Sequence, residues 1–314
     1  MKKVLLFLCL SLNLVFSQTF KKVGTTGYVF LEIPVSTRAS GVGDAGVALF
    51  HTSADAIFIN PALTGFTTKK QSLNFTFANW LADVKQMASA YTIKLGNAGV
   101  FGIGLVHFDF GTMQGTVNAN PDQPGNYIIT ETFSADALAF GISYSKMLTD
   151  RFSFGGFVKY VREKIWVYKS ENFVFDVGVL YFTGFRSLRI AGAIQNFGVD
   201  SKYIGDSFKM PVMFKLGIAG EIIGEYNQPT KLSLMIEALH PSDSPEKLNL
   251  GIEYSYKNFL SLRGGYKLNY DEENFTLGLG LNGSSARIPV NLDFSYLNFN
   301  RLGSVVRVGV GIEF

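Results

Sequence analysis

Few stretches of this sequence hold residues whose types and spacing could do chemistry. The first is GVGDAG at 41 to 46, with Gly41, Gly43 and Gly46 at the spacing of a dinucleotide-binding turn. That chemistry needs a βαβ unit, with pyrophosphate on the helix N-terminus and an acidic residue about 20 positions later. Strand-like segments follow instead, so the stretch reads as a closely packed glycine turn and no cofactor is expected. His51, His107 and His240 have no i, i+4 partner among themselves and no clustered carboxylates, so no metal is expected. The run Asp271, Glu272, Glu273 reads as a solvated hairpin tip rather than a calcium site, because nearby oxygen ligands are few. Arg162, Glu163 and Lys164 read as a charged rim. No G-x-S-x-G element occurs, and no catalytic residue is expected. Cys9 is the one cysteine, which leaves no basis for a disulfide framework or a thiolate metal site.

The elements that must position any site are better marked. The opening MKKVLLFLCLSLNLVFSQ has the layout of a secretory signal peptide over residues 1 to 17, with small Ser17 at the cleavage position. Without Lys2 and Lys3, 26 basic residues face 25 acidic ones, a balance that points to no nucleic acid. Only 17% of residues are charged, against roughly 25% in an average soluble domain. Aromatic residues make up 14%, and there are 33 glycines. After residue 17 no apolar run approaches the roughly 18 residues of a membrane helix. Such an exported chain is expected to form a closed barrel in a bacterial outer membrane, because closure satisfies every backbone polar group in lipid.

The alternation agrees. In VRVGVGIEF, Val306, Val308, Val310, Ile312 and Phe314 alternate with Arg307, Gly309, Gly311 and Glu313. A period of two with one apolar face and one polar or glycine face marks a strand between two media. A soluble sandwich would carry many more charges on its outer face. Counting such stretches predicts an all-β fold: a transmembrane antiparallel β-barrel of about 14 strands over residues 71 to 314. Long outer loops are expected at 111 to 131, 162 to 171, 198 to 209 and 240 to 246, with tight turns between them and both chain ends at one rim. Glycines on the inner face leave room for a plug or a passage.

Residues 18 to 70 lack sustained alternation and hold Arg38, Asp44 and Asp55 among apolar neighbours. Charges and irregular backbone cannot face lipid, so this segment is expected inside the lumen as an N-terminal hatch. Asn60 is a good N-cap and Pro61 suits a first helical position, so NPAL is expected to start a short turn. Asp55 is expected to pair with a luminal cation, with Arg38 as the candidate.

The stretches IPVSTRASGVGDAGVA and ADAIFINPALTGF resemble the N-terminal signature of the PorV/PorQ family of outer-membrane proteins, itself similar to FadL-like barrels of 14 strands with a hatch. Arg38, Gly41, Gly43, Asp55, Asn60 and Pro61 carry the resemblance. ALTGF at 62 to 66 departs from the more usual Ala-Gly-Leu step. The resemblance implies a part in type IX secretion, binding or shuttling exported proteins, with outer-membrane lipid, secreted cargo and other secretion components as partners. The alternative it implies is FadL-like transport of hydrophobic small molecules. The connection at 111 to 131 is the expected contact surface.

Overall fold

Each alternating stretch becomes a strand in the computed structural model, which describes residues 24 to 119, 125 to 283 and 290 to 314. The signal peptide expected over residues 1 to 17, the centre of the 111 to 131 connection and the turn residues 284 and 285 lie outside the described residues. The strands are β1 (Gln71–Asn79), β2 (Lys85–Lys94), β3 (Val100–Asn118), β4 (Tyr127–Thr149), β5 (Phe152–Ile165), β6 (Tyr168–Phe182) and β7 (Arg189–Gly198). After a two-residue hairpin of β8 (Ser201–Lys202) and β9 (Ser207–Phe208) come β10 (Met213–Ile223), β11 (Lys231–Pro241), β12 (Lys247–Tyr256) and β13 (Leu260–Leu268). The chain ends with β14 (Phe275–Asn282), β15 (Val290–Asn298) and β16 (Ser304–Glu313). All but β8 and β9 form one closed antiparallel barrel of 14 strands. Its seam pairs β1 with β16, from Ser72 opposite Glu313 to Asn79 opposite Val306.

Two media explain the alternation. On β16, Val306 points out and is 54% exposed, while its neighbour Arg307 points into the lumen and is fully buried. The core therefore lies inside the barrel, between the wall and residues 24 to 70.

Two of the expected outer loops are mostly strand. β3 runs to Asn118 and β4 starts at Tyr127, and β5 and β6 are joined by Trp166 and Val167 alone. In the first, Thr116, Val117, Ile128 and Ile129 favour extended backbone, so the ladder continues past the barrel edge. Gly111, at φ 74°, and Gly115 sit at two register shifts that hide the alternation. In the second, Arg162 opposite Glu171 and Lys164 opposite Lys169 are ladder pairs. Charges there mark a strand that has left the lipid, not a loop.

The protruding β3–β4 ribbon and the 199 to 212 connection leave from one rim, the outer one, and Gln71 and Glu313 lie at the other. The expectation that both chain ends share a rim fails for the segment before β1. Gly27 N donates to Lys209 O at 3.1 Å at the outer rim, while Lys70 N donates to Phe314 O at 2.8 Å at the inner rim. An even strand number constrains only the chain from Gln71 onward, and the segment preceding it runs the length of the lumen.

Candidate functional site

The segment inside the barrel is a series of short helical turns set by local chemistry. Ser36 caps Thr37–Gly41 by accepting from Ala39 N. Asn60 caps the 3₁₀ turn Pro61–Phe66: its Oδ1 accepts from Ala62 N at 3.0 Å, and Pro61 occupies the first turn, where a missing N–H costs nothing. The amide of Asn60 also donates to Val47 O at 3.0 Å and to Val179 O at 3.2 Å, which ties the turn to its own segment and to β6.

The charges of the segment meet charges on the wall. Arg38 donates to both oxygens of Glu253 on β12, Nε to Oε2 at 2.9 Å and Nη2 to Oε1 at 2.7 Å. Glu253 Oε2 also accepts from Arg263 Nε on β13 at 2.6 Å, and Arg263 Nη1 reaches Asp293 Oδ1 on β15 at 2.5 Å. Asp44 pairs with Lys267 of β13 at 2.5 Å and accepts from Ser40 Oγ at 3.0 Å. Arg189 on β7 makes two bonds of 2.9 Å to Glu221 on β10, and its Nε donates to Ala48 O at 2.8 Å. Buried charges of this kind are tolerable only when paired and hydrogen-bonded.

Asp55 does not take Arg38. It accepts from Ser36 Oγ at 2.6 Å and meets His51 Nε2 at 2.8 Å. Arg38 Nη1 lies 3.1 Å from His51 Nδ1. Because a guanidinium only donates, Nδ1 accepts, which leaves Nε2–H to donate to Asp55. The expected pair is thus replaced by a relay with His51 between its members. Asp55 lies in the first turn of Ala54–Phe58, within reach of His51 just ahead of it, while Arg38 gives its fork to Glu253 on the wall. The sequence signal for His51 is its i, i+4 spacing to Asp55, a carboxylate rather than a second histidine.

The inner-face glycines admit the segment's backbone and side chains. A Cβ at Gly178 of β6 would stand 2.0 Å from Asn60 Oδ1, one at Gly155 of β5 2.5 Å from Pro61 C, and one at Gly265 of β13 2.0 Å from Gly43 N. Gly104, Gly217, Gly251, Gly278 and Gly309 make equivalent approaches to Phe58, Val47, Val42, Gly41 and Thr37. From the other side, a Cβ on Gly41 would stand 3.0 Å from Gly278 Cα, and Gly43 adopts φ 70°, a conformation that favours glycine. The glycine motif at 41 to 46 therefore seats the chain against β12, β13 and β14. Between segment and wall remain a cavity of about 80 Å³ beside Glu32, Lys159 and Asp176, and one of about 220 Å³ beside Arg38, His51, Lys231 and Asp293.

At the outer rim Tyr28 Oη donates to Ser170 Oγ at 2.8 Å, and Thr26 Oγ1 to Asp243 Oδ2 at 2.5 Å. Burial, and next the neighbouring Asp243 carboxylate, push Glu32 up to about 7 against the pull of Lys247 and Lys215. Burial and then Glu163, whose Oε2 accepts from Tyr203 Oη at 2.5 Å, raise the Tyr203 phenol. The acidic run is less solvated than expected: Glu272 pairs with Arg301 and Glu273 with Lys267. Among the described residues no three His, Cys, Asp or Glu side chains gather as a metal site would require.

Above this rim β3 and β4 form a ladder only with each other, braced at its base by Trp166, which donates to Ser134 O at 3.1 Å and through Nε1 to Glu131 Oε1 at 2.9 Å. The β2–β3 ladder stops at Lys85 opposite Asp109, and the β4–β5 ladder at Ala135 opposite Ile165. The free ribbon exposes Met113, Val117, Tyr127, Ile128 and Ile129, with Tyr127 at 65%.

No curated protein sequence matches the chain. Among solved structures, the monoaromatic hydrocarbon channel CymD is similar at 12% identity, with 92% of this chain and 97% of that one covered and a TM-score of 0.59. The P. putida toluene transporter TodX is similar at 14% identity, with 87% and 98% covered and a TM-score of 0.57. At these identities the likeness is one of fold: a barrel of the bacterial outer membrane. Residues 16 to 242, well over half of the sequence, match the family described as Type IX secretion system protein PorV. The chain belongs to the PorV family of type IX secretion outer-membrane barrels.

Proposed function

We propose that this barrel works as a non-enzymatic docking protein, binding exported proteins or other secretion components at its outer rim. Residues 18 to 70 act as a fixed plug in the barrel of residues 71 to 314, anchored through Arg38, Gly41, Gly43, Asp55, Asn60 and Pro61. The observation that carries the reading is the β3–β4 ribbon, which runs on past the ends of the neighbouring ladders and exposes Val117, Tyr127, Ile128 and Ile129. Apolar surface of this kind on an outer face favours a protein partner. Transport of hydrophobic molecules would need a continuous apolar route, whereas the luminal cavity beside Arg38 is lined by the ion pairs that run from Arg38 through Glu253 and Arg263 to Asp293. The test is capture from outer membranes with tagged barrel. Secreted proteins that share a C-terminal domain are expected to co-purify, and the combined Ile128→Ser and Ile129→Ser variant is expected to lose them while remaining folded. An empty capture, together with normal secretion in a deletion strain, overturns the reading.

A further inference from the structure

The lipid-facing wall has a groove. Near the inner rim, where the 183 to 188 turn lies over β10 and β11, a hollow of about 350 Å³ is walled by Ile218, Ile222, Leu234 and Ile236 of the strands and Phe185 and Leu188 of the turn. Its floor is Gly220. The alternation of β10 turns Gly220 outward between Ile218 and Ile222, and a Cβ there would come no nearer to any atom than 3.5 Å, to Leu188 Cα. The missing side chain makes the hollow, and its apolar walls offer dispersion contacts to an acyl chain laid along it.

One guanidinium lines the hollow and a second lies against the turn that forms its edge. Arg186 lines the hollow. Arg151, from the β4–β5 turn, reaches the same turn, since a Cβ at Gly184 would stand 2.4 Å from Arg151 Nη1. Neither side chain has a hydrogen-bond or ion-pair partner among the described residues. The nearest carboxylate on β10, Glu221, points into the lumen and is taken by Arg189. Two free arginines thus lie at the inner rim, where the apolar belt ends, beside a hollow open to lipid. Guanidinium forks match phosphate oxygens in geometry and charge, and the depth matches the headgroup layer of the inner leaflet.

We propose that this groove is a specific site for one glycerophospholipid of the inner leaflet, with an acyl chain over Gly220 and the phosphate between Arg151 and Arg186. The arginines select the phosphate. The chain fills the hollow that Gly220 leaves, and the 183 to 188 turn is held against the wall.

The full mature chain, purified in mild detergent, is titrated with dioleoyl phosphatidylglycerol and separately with dioleoyl glycerol, and bound lipid is read by native mass spectrometry. The phospholipid is expected to be retained under conditions that strip the glycerol lipid. Gly220→Leu, which fills the groove, and the combined Arg151→Ala and Arg186→Ala variant are each expected to weaken retention roughly tenfold or more, about the loss of one charge-assisted hydrogen bond or of the filled hollow. Equal retention of the two lipids, or unchanged retention in both variants, overturns the proposal. The altered positions lie on the lipid face and the rim, and a heat-shift gel reports whether each barrel is folded. Should a variant not fold, the comparison of the two lipids on the unaltered barrel decides.

Discussion

Arg38 in the lumen and Glu253 on β12 lie 215 positions apart and are joined by a two-pronged ion pair of 2.9 and 2.7 Å. Through Arg263 the pair extends to Asp293, so one residue of the luminal segment is fastened across β12, β13 and β15. A lysine could not reproduce the fork.

Arg38→Met is expected to destabilise the barrel by about 3 to 5 kcal/mol, because it removes one of the two cations that compensate a carboxylate only 1% exposed. The temperature of the gel mobility shift on heating measures it. Adding Glu253→Met should recover part of the loss, since a missing pair costs less than half of one. A single variant that melts with the wild type would show that the pair is no anchor.

The glycine contacts make an opposed pair of expectations. Gly178→Ala places a methyl 2.0 Å from Asn60 Oδ1, whereas Gly264→Ala, on the outer face of β13, meets nothing nearer than Ile252 Cγ2 at 3.5 Å. The first is expected to loosen the plug by about 1 to 3 kcal/mol, the usual cost of overpacking. Limited proteolysis should then cut residues 24 to 70 faster in Gly178→Ala and at the wild-type rate in Gly264→Ala. Equal rates in the two variants would contradict the fit.

Glu32 sets a pH dependence. Its carboxyl titrates near 4.5 when unfolded and at about 7 in place, chiefly through burial and then through Asp243. Between these values the folded form holds the extra proton, so the stability it contributes is complete below about 4.5 and is lost as pH rises through 7. The effect is on the order of 2 to 3 kcal/mol. Amides of residues 26 to 33 are expected to exchange faster at pH 8 than at pH 5.5 after correction for intrinsic rates. Glu32→Gln should remove the difference, and a difference that persists in that variant assigns it elsewhere.

Much of the wall was legible in the sequence because lipid on one side and a packed lumen on the other impose a period of two on each strand. The glycine face of β14 and β16 was visible as such, but its reason was not. Gly278 matters because Gly41 lies against it, and no local pattern reports a contact of that range. The relay from Arg38 through His51 to Asp55 failed to show for the opposite reason: it is local, but its middle member was weighed only as a metal ligand. The loop expected at 162 to 171 is strand instead, because a ladder at the rim carries charges such as Arg162 and Lys164 freely.

The lengthwise course of residues 24 to 70 also joins the two compartments through one lumen. Thr26 sits beside Asp243 at the outer rim, and Phe314 receives Lys70 N at the inner one. A label at Gly24, where nothing lies within 4 Å of the added atom, is reached from the cell's exterior face, and one at Glu313 from the periplasmic face, so a single barrel can be labelled from both sides of the membrane at once.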